Sequence, residues 1–268
     1  MTIFFAIIIL FALYVLSTMG RKNHPGFGAL RSWRYAHRGL PGAGAPENSM
    51  AAFRRALEQG YGIELDVHLM ADGTLAVIHD SSLMRTAGSD TLIEDLSAAD
   101  LCCYHLEETD ETIPTLGQVL KLFQGKAPLI VELKSTKSNY AALTKAACDL
   151  LESYSGAYCI ESFDPRCIFW LRKNRPHIIR GQLTEDFVHN PLSPLPLALK
   201  FIMTHQIANF LTQPDFVAYK FSHRKTLSNF FVRKFWGVQG VTWTVTSQQD
   251  LDIAEKEGWI PIFESFTP

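Results

Sequence analysis

Three short β-like runs in this chain end in polar residues: Tyr35-Ala36-His37-Arg38-Gly39, Ile63-Glu64-Leu65-Asp66 and Val131-Glu132-Leu133-Lys134. Alternate side chains of a strand share a face, so Glu64 and Asp66 point one way together, and so do Glu132 and Lys134. Three carboxylates facing one space repel one another and resist ionisation. One divalent cation bound by Glu64, Asp66 and Glu132 removes that cost. An oxygen-only ligand set selects a hard ion, Mg²⁺ or Ca²⁺, over structural zinc. Arg38 and Lys134 add positive charge for an anionic substrate, Arg38 as a bidentate fork and Lys134 as a point charge. His37 and His79 are the candidate general base and general acid. A cation, two imidazoles and two fixed positive charges suit cleavage of a phosphodiester. Charge on the phosphoryl oxygens is stabilised, one histidine activates a nucleophile, and the other protonates the leaving alkoxide.

Each of these residues has a plainer explanation when taken alone. A strand glutamate is commonly salt-bridged, and Lys134 is a natural partner for Glu132. An isolated strand-end histidine is more often structural, and His24, His68, His105, His177, His189, His205 and His223 read that way. What separates His37, Glu64, Asp66, His79 and Glu132 is convergence on one rim, and the elements that must position them explain why.

Short apolar runs at 35–37, 62–66, 129–132, 157–161, 178–182, 216–219, 241–245 and 260–263 read as eight strands. Between them, 49–59, 115–123, 140–154, 165–173, 196–210, 225–236 and 247–257 read as helices. Strands alternating with helices predict a parallel sheet, and eight units predict a closed (β/α)8 TIM barrel, an α/β fold whose functional residues sit at the C-terminal strand ends. The stretch 67–113 is too long for a simple connection and reads as a small insertion after the second strand. Asp72-Gly73 inside it predicts a tight two-residue hairpin turn. In that register Met70 faces Leu75, His68 faces Val77 and Asp66 faces His79, which returns His79 to the barrel mouth.

The chain has 268 residues and a net charge of −2, so bulk charge points to neither nucleic acid nor an acidic partner. Its five cysteines form no spaced metal pattern and read as buried, reduced thiols. Residues 2–19, TIFFAIIILFALYVLSTM, are uncharged and free of proline, which predicts a single-pass transmembrane anchor over 1–20, followed by a connector over 21–34 and a catalytic barrel over 35–268. A cleaved signal peptide is disfavoured, because no Lys or Arg precedes the apolar run and no small-x-small site ends it. Arg21, Lys22, Arg31 and Arg34 follow, with no acid before Glu47, which predicts a barrel on the cytoplasmic side of the membrane. The stretches 191–211 and 220–236 are rich in apolar, aromatic and basic residues; they suit either a lipid surface or ordinary outer barrel helices.

From His37 to near the C-terminus the chain resembles the glycerophosphodiester phosphodiesterase family. The resemblance rests on Ala36-His37-Arg38-Gly39, Pro46-Glu47-Asn48-Ser49 with Ala52-Phe53, the run from Ile63 to Asp80, Ile113-Pro114-Thr115-Leu116, Val131-Glu132-Leu133-Lys134, Ser162-Phe163-Asp164 and Thr242-Trp243-Thr244-Val245. It implies a TIM barrel with a small insertion, His37 and His79 as the acid/base pair, and Glu64, Asp66 and Glu132 as metal ligands. It also implies phosphate held by Arg38 and Lys134, and Trp243 lining the alcohol side of the pocket. The expected reaction is metal-dependent hydrolysis of glycerophosphodiesters to glycerol 3-phosphate and an alcohol. The alternatives are a lysophospholipase D acting on membrane lysolipids and a non-catalytic membrane-anchored barrel. Attack by water on phosphorus and attack by a neighbouring substrate hydroxyl, giving a cyclic phosphate, are both open. The C-terminal Pro261-Ile262-Phe263-Glu264 departs from the family's usual Thr-Asp, leaving Glu264 without an assigned role. Pro46-Glu47-Asn48-Ser49 also fits a helix cap supplied by Asn48 or Ser49.

Overall fold

A computed structural model describes residues 1–136 and 138–268. The strands are β1 Tyr35–His37, β2 Gly62–Leu69, β3 Leu75–Val77, β4 Leu129–Leu133, β5 Tyr158–Ser162, β6 Arg180–Thr184, β7 Phe216–Lys220, β8 Gln239–Val245 and β9 Trp259–Phe263. The helices are α1 Thr2–Ser17, α2 Gly28–Arg31, α3 Met50–Glu58, α4 Met84–Ala87, α5 Leu116–Phe123, α6 Tyr140–Leu151, α7 Pro165–Asn174, α8 Leu197–Thr204, α9 Asn209–Thr212, α10 Leu227–Phe230 and α11 Gln248–Lys256. Strand order runs β1-β9-β8-β7-β6-β5-β4-β2, and β1 also pairs with β2, so eight parallel strands close into a barrel. Strand β3 adds to β2 antiparallel, as the hairpin expected after the second barrel strand.

Two packed layers hold the barrel. The outer layer buries Phe53 of α3, Leu116, Val119 and Phe123 of α5, Leu143 and Ala147 of α6, and Ile168 and Leu171 of α7 against outward-facing strand residues such as Ile63, Leu65 and Val131. These helix positions recur at three- and four-residue spacing, the stripe that a helix turns towards a core. Ser49 and the Thr115–Gln118 capping box fix where α3 and α5 begin, by satisfying backbone N–H groups that lack helical partners. The inner layer fills the barrel with Tyr35, Ile130, Cys159, Phe216, Val241 and Ile262. Phe27 and Leu30 join it, so the connector plugs the N-terminal end of the barrel with buried side chains. The insertion buries a small core of its own, including Met70, Ile78, Leu83, Ile93 and Leu101.

The structure corrects several expectations. Strand β2 pairs with β3 as Val67↔Val77, His68↔Ala76 and Leu69↔Leu75, one residue away from the expected register. The turn is longer than two residues: Met70 N–H donates to Thr74 O at 2.9 Å, and Gly73 adopts φ +85°. A left-handed glycine closing a three-residue loop is the next commonest hairpin connection, and it carries the extra residue that shifts the register. Consequently Ile78, not His79, lies opposite Asp66, with Ile78 N–H donating to Asp66 O at 3.1 Å. The predicted helix at 196–210 is divided into α8 and α9, and that at 225–236 is α10 continued by one π-helical turn, Phe231–Phe235. All five cysteines are free as expected, but Cys102 and Cys103 are exposed.

The expected spanning helix is also corrected. α1 has 16 residues, and among the described residues no helix is long and apolar enough to cross a membrane. At 1.5 Å per residue it measures about 24 Å, against a hydrocarbon core of about 30 Å. No residue of α1 is buried, although its C-terminal end touches the barrel. Trp236 Nε1–H donates to Val15 O at 3.0 Å, and Phe11 and Tyr14 meet the rings of Phe231 and His205. Two of the four basic residues after the helix are paired with barrel acids, Arg21 with Asp215 and Arg34 with Glu255.

Candidate active site

Parallel pairing brings the chemically active residues to one rim. His37 lies in register with Glu64, Asp66 with Glu132, and Glu132 with Glu161. All are at or near the C-terminal strand ends, where barrels of this kind carry their sites. His37, Arg38, Glu64, His79, Glu132, Lys134 and Trp243 line one cavity of about 380 Å³. Asp66 lies fully buried beneath it. A larger cleft of about 750 Å³ opens at the opposite, N-terminal end of the barrel, where its Arg34 and Glu255 neutralise each other.

One oxygen each from Glu64, Asp66 and Glu132 lies within 4.8 Å of the others. Burial, reinforced by repulsion from Asp66, Glu132 and Glu161, pushes the Glu64 carboxyl well above its ordinary range. Burial, only partly offset by Lys134, pushes Glu132 up to about 7. Burial also acts on Asp66, but Lys134, His79, Arg38 and His37 outweigh it and hold this carboxyl well below the usual range. Lys134 Nζ stands 3.0 Å from Asp66 Oδ1 and 2.7 Å from Glu132 Oε1. Arg38 Nε stands 3.3 Å from Asp66 Oδ2. The cluster therefore has one firmly ionised carboxylate and two that stay ionised near neutral pH only if more positive charge arrives. A buried, all-oxygen trio of this spacing fits a divalent cation.

The surrounding residues hold these groups in place. Arg38 and Asn48 adopt left-handed backbone angles, φ +57° and +56°. These turns aim Arg38 N–H at Glu64 Oε2, 3.2 Å away, and Asn48 Nδ2–H at Asp66 Oδ2, 2.8 Å away. Gly39 follows at φ +83°, where an added Cβ would lie 2.9 Å from the backbone of Ala52, so the turn needs glycine. Ser49, not Asn48, caps α3 by accepting from Ala52 N–H at 3.1 Å. Glu47 accepts from Arg38 at 3.0 Å and from Arg85 at 2.6 Å.

The histidines are each oriented by one carboxylate. His37 Nδ1–H donates to Glu264 at 2.6 Å, which turns its Nε2 towards Glu64 Oε2, 3.8 Å away. That hydrogen bond keeps Glu264 below the ordinary carboxylate range. His79 Nδ1–H donates to Asp80 at 2.7 Å, and Asp80 is itself gripped by Arg85. Burial and the Lys134 charge lower the His79 pKa, against the pull of Asp66. His68, which reads as structural in the sequence, supports the same loop: its ring bonds Glu94 on one side and the backbone oxygen of His79 on the other.

Trp243 packs edge-on against Phe163, with ring centroids 5.6 Å apart, and closes one side of the cavity. Glu161, Lys220, Phe163 and Glu264 are among the lining residues that have no role in the sequence reading. Glu161 is fully buried with its Oε2 unpartnered, and it ends a predicted strand just as Glu132 does, which is the signal that marks it. Lys220 belongs by sequence to a basic outer stretch, yet it ends β7 at the cavity, paired with Glu185 at 2.9 Å. Phe163 is placed by a strand end of no obvious chemistry, and Glu264 by the departure from the family pattern at the last strand.

Comparison with known proteins identifies the family. The sequence model of the glycerophosphoryl diester phosphodiesterase family matches residues 37–266, and the chain belongs to that family. It is by membership a phosphoric diester hydrolase. A glycerophosphodiester phosphodiesterase of Bacillus altitudinis is 37% identical over 168 residues, which cover 59% of this chain and 68% of that one. A human lysophospholipase D is 31% identical over 171 residues, 54% of this chain and 53% of that one. Among solved structures, a phosphodiesterase from Oleispira antarctica in complex with the product sn-glycerol-3-phosphate superposes with a TM-score of 0.73 at 21% identity, over 91% of this chain and 95% of that one. This last likeness concerns the fold.

Proposed function

We propose that the chain hydrolyses glycerophosphodiesters to glycerol 3-phosphate and an alcohol, with one divalent cation, Mg²⁺ or Ca²⁺, held by Glu64, Asp66 and Glu132. The observation that carries this reading is the buried carboxylate trio, its oxygens within 4.8 Å of one another, opening on a cavity lined by His37, His79, Arg38 and Lys134. The names of the bacterial relatives support the same substrate class. When bound, the cation supplies positive charge for phosphoryl oxygens. Arg38 and Lys134 bind the anionic diester and orient it. His79, kept neutral by burial and neighbouring positive charge, accepts a proton of the attacking water. As the new phosphorus–oxygen bond forms, the bond to the departing alcohol breaks, and His37, entering the step with a proton on each ring nitrogen, delivers its Nε2 proton to that alkoxide while Nδ1–H stays on Glu264. Glu264 keeps the His37 ring in the orientation this requires. Trp243 and Phe163 form the apolar wall beside the departing group.

We propose further that α1 embeds in a bilayer and tethers the barrel on its cytoplasmic face. A helix that is apolar all round and has no buried residue wants an apolar medium. Lys22 and Arg31 follow it, beside the paired Arg21 and Arg34, before any acid appears.

The reaction is tested on glycerophosphocholine by product identity. Choline and glycerol 3-phosphate are expected together; release of phosphocholine and glycerol would place the cleavage on the wrong side of phosphorus and overturn the reading.

A further inference from the structure

We infer that Glu161 is a specificity-determining residue, the group that takes a hydroxyl of the glycerol moiety at the closed end of the catalytic cavity. This rests on the phosphodiesterase reading of that cavity. Glu161 lies on β5 and is 1% exposed, and its Oε2 has no hydrogen-bond partner among the described residues. Its strand neighbours supply none. The residue in register on β4 is Glu132, another acid, and that on β6 is Gly181, which has no side chain. An unpaired buried carboxyl is costly, and a native fold seldom keeps one unless something else completes it.

The cavity shows what completes it. His37, His79 and Lys220 are each paired with a carboxylate of their own, and Glu64 and Glu132 belong to the cation cluster. Glu161 is left over. Its place in the cavity selects the ligand. Leu183 and Ile262, 2% and 1% exposed, share the buried floor with Glu161, whereas Phe163 and Trp243 stand only partly buried at the rim. A diester held at its phosphate by Arg38 and Lys134 turns one end to the floor and the other to the rim. The closed floor suits the part that all substrates share, which is glycerol, and the open rim takes the alcohol that varies. Leu183 and Ile262 meet the carbons of glycerol, and Glu161 is left for a hydroxyl. A hydroxyl donates to a carboxylate and accepts from a carboxylic acid, so it satisfies Glu161 in either state of protonation.

The test is equilibrium binding, so that it does not depend on turnover. The full chain in nanodiscs, supplied with Mg²⁺ or Ca²⁺, is titrated calorimetrically with glycerol 3-phosphate and with the monophosphates of propane-1,2-diol and propane-1,3-diol, each short of one hydroxyl. The wild type is expected to bind glycerol 3-phosphate at least about tenfold more tightly than one of the two analogues. Glu161→Leu binds all three alike, and Glu161→Gln, whose amide still pairs with a hydroxyl, keeps part of the preference. Both variants melt no lower than the wild type, because each removes an unpaired buried acid. A lower Tm in both would reveal a structural partner of Glu161 and overturn the assignment. Equal binding of the three ligands by the wild type, as a water at Glu161 predicts, or a preference that survives Glu161→Leu, also overturns it. Cleavage of glycerophosphocholine by the same preparation is read separately. Preference without cleavage keeps glycerol at Glu161 and refutes the hydrolysis, and cleavage without preference does the reverse.

Discussion

Glu264 accepts a hydrogen bond from His37 Nδ1 at 2.6 Å, joining the end of the last barrel strand to the end of the first. Barrel closure creates this contact: Ala36 pairs with Phe263, so the two residues that follow them meet at the rim. The carboxylate accepts only, which keeps a proton on Nδ1 and leaves Nε2, the proton-donating nitrogen, facing the carboxylate trio. Glu264→Gln keeps the size of the side chain but can offer a donor where an acceptor is needed. We expect kcat to fall about a hundredfold with KM little changed, and Glu264→Asp to recover part of the loss. Steady-state kinetics of the two variants check this; a Gln variant with wild-type kcat would remove Glu264 from the mechanism.

Stability of the cation-free protein should depend on pH in a definite direction. Folded Glu132 has a pKa of about 7 against 4.5 for an ordinary glutamate, so the folded state holds this proton more tightly. The stability it contributes is complete below about 4.5 and is lost as pH rises through 7. Glu64 is shifted the same way, whereas Asp66, shifted down, acts only at more acidic pH. In EDTA, Tm is expected to fall by a few degrees between pH 5 and 7.5, and either Mg²⁺ or Ca²⁺, or the substitution Glu132→Gln, should abolish much of that fall. Thermal melts at the two pH values decide the matter; a flat Tm in EDTA would contradict the assigned repulsion.

Asn48 should matter through Asp66. Its Nδ2–H is the hydrogen bond that holds Asp66 Oδ2 from the α3 side, and both groups are buried. Asn48→Ala leaves a buried carboxylate oxygen short of a partner, at a cost of about 1–3 kcal/mol. Loss of such a supporting contact weakens metal binding about tenfold or more. Calorimetric titration of the cation together with a melting curve measures both. Unchanged affinity would show that Asp66 is positioned without Asn48.

Much of the fold and site is legible in the sequence, for physical reasons that also explain what is not. Strand periodicity alone puts Glu64 with Asp66 and identifies the rim, because alternation is local. The hairpin register is not legible, because Asp72-Gly73 suits both a two-residue turn and a three-residue loop. The choice is made by packing of Met70 and Ile78 in the insertion core, which is not local. His79 nevertheless reaches the cavity, held by Asp80 and by the hydrogen bond from His68 to its backbone oxygen. Glu264 and Lys220 depend on which strand neighbours which: closure of the barrel through β1 and β9 brings Glu264 to His37, and pairing of β7 with β8 brings Lys220 to Trp243. Hydropathy places the end of α1 too late, because it does not register that Ser17 and Thr18 turn their hydroxyls back onto Tyr14 O and Val15 O, where the helix ends.

The membrane tether makes its own prediction. Full-length protein should remain with membranes through an alkaline carbonate wash, and protein lacking residues 2–17 should be released. Protease added outside intact cells should leave the barrel uncut. Wash-off of the full chain would contradict the embedding of α1, and external digestion would contradict the proposed side.

The most direct test of the cation's role is a titration of turnover. Protein stripped with EDTA is titrated with Mg²⁺ or Ca²⁺ while glycerol 3-phosphate release from glycerophosphocholine is followed, in parallel with Glu64→Gln, Asp66→Asn and Glu132→Gln. The expected result is no turnover in EDTA, recovery on adding one of the two cations, and at least about a hundredfold loss of kcat/KM in each variant. Full turnover in EDTA, or variants as active as the wild type, would contradict a cation held by the carboxylate trio.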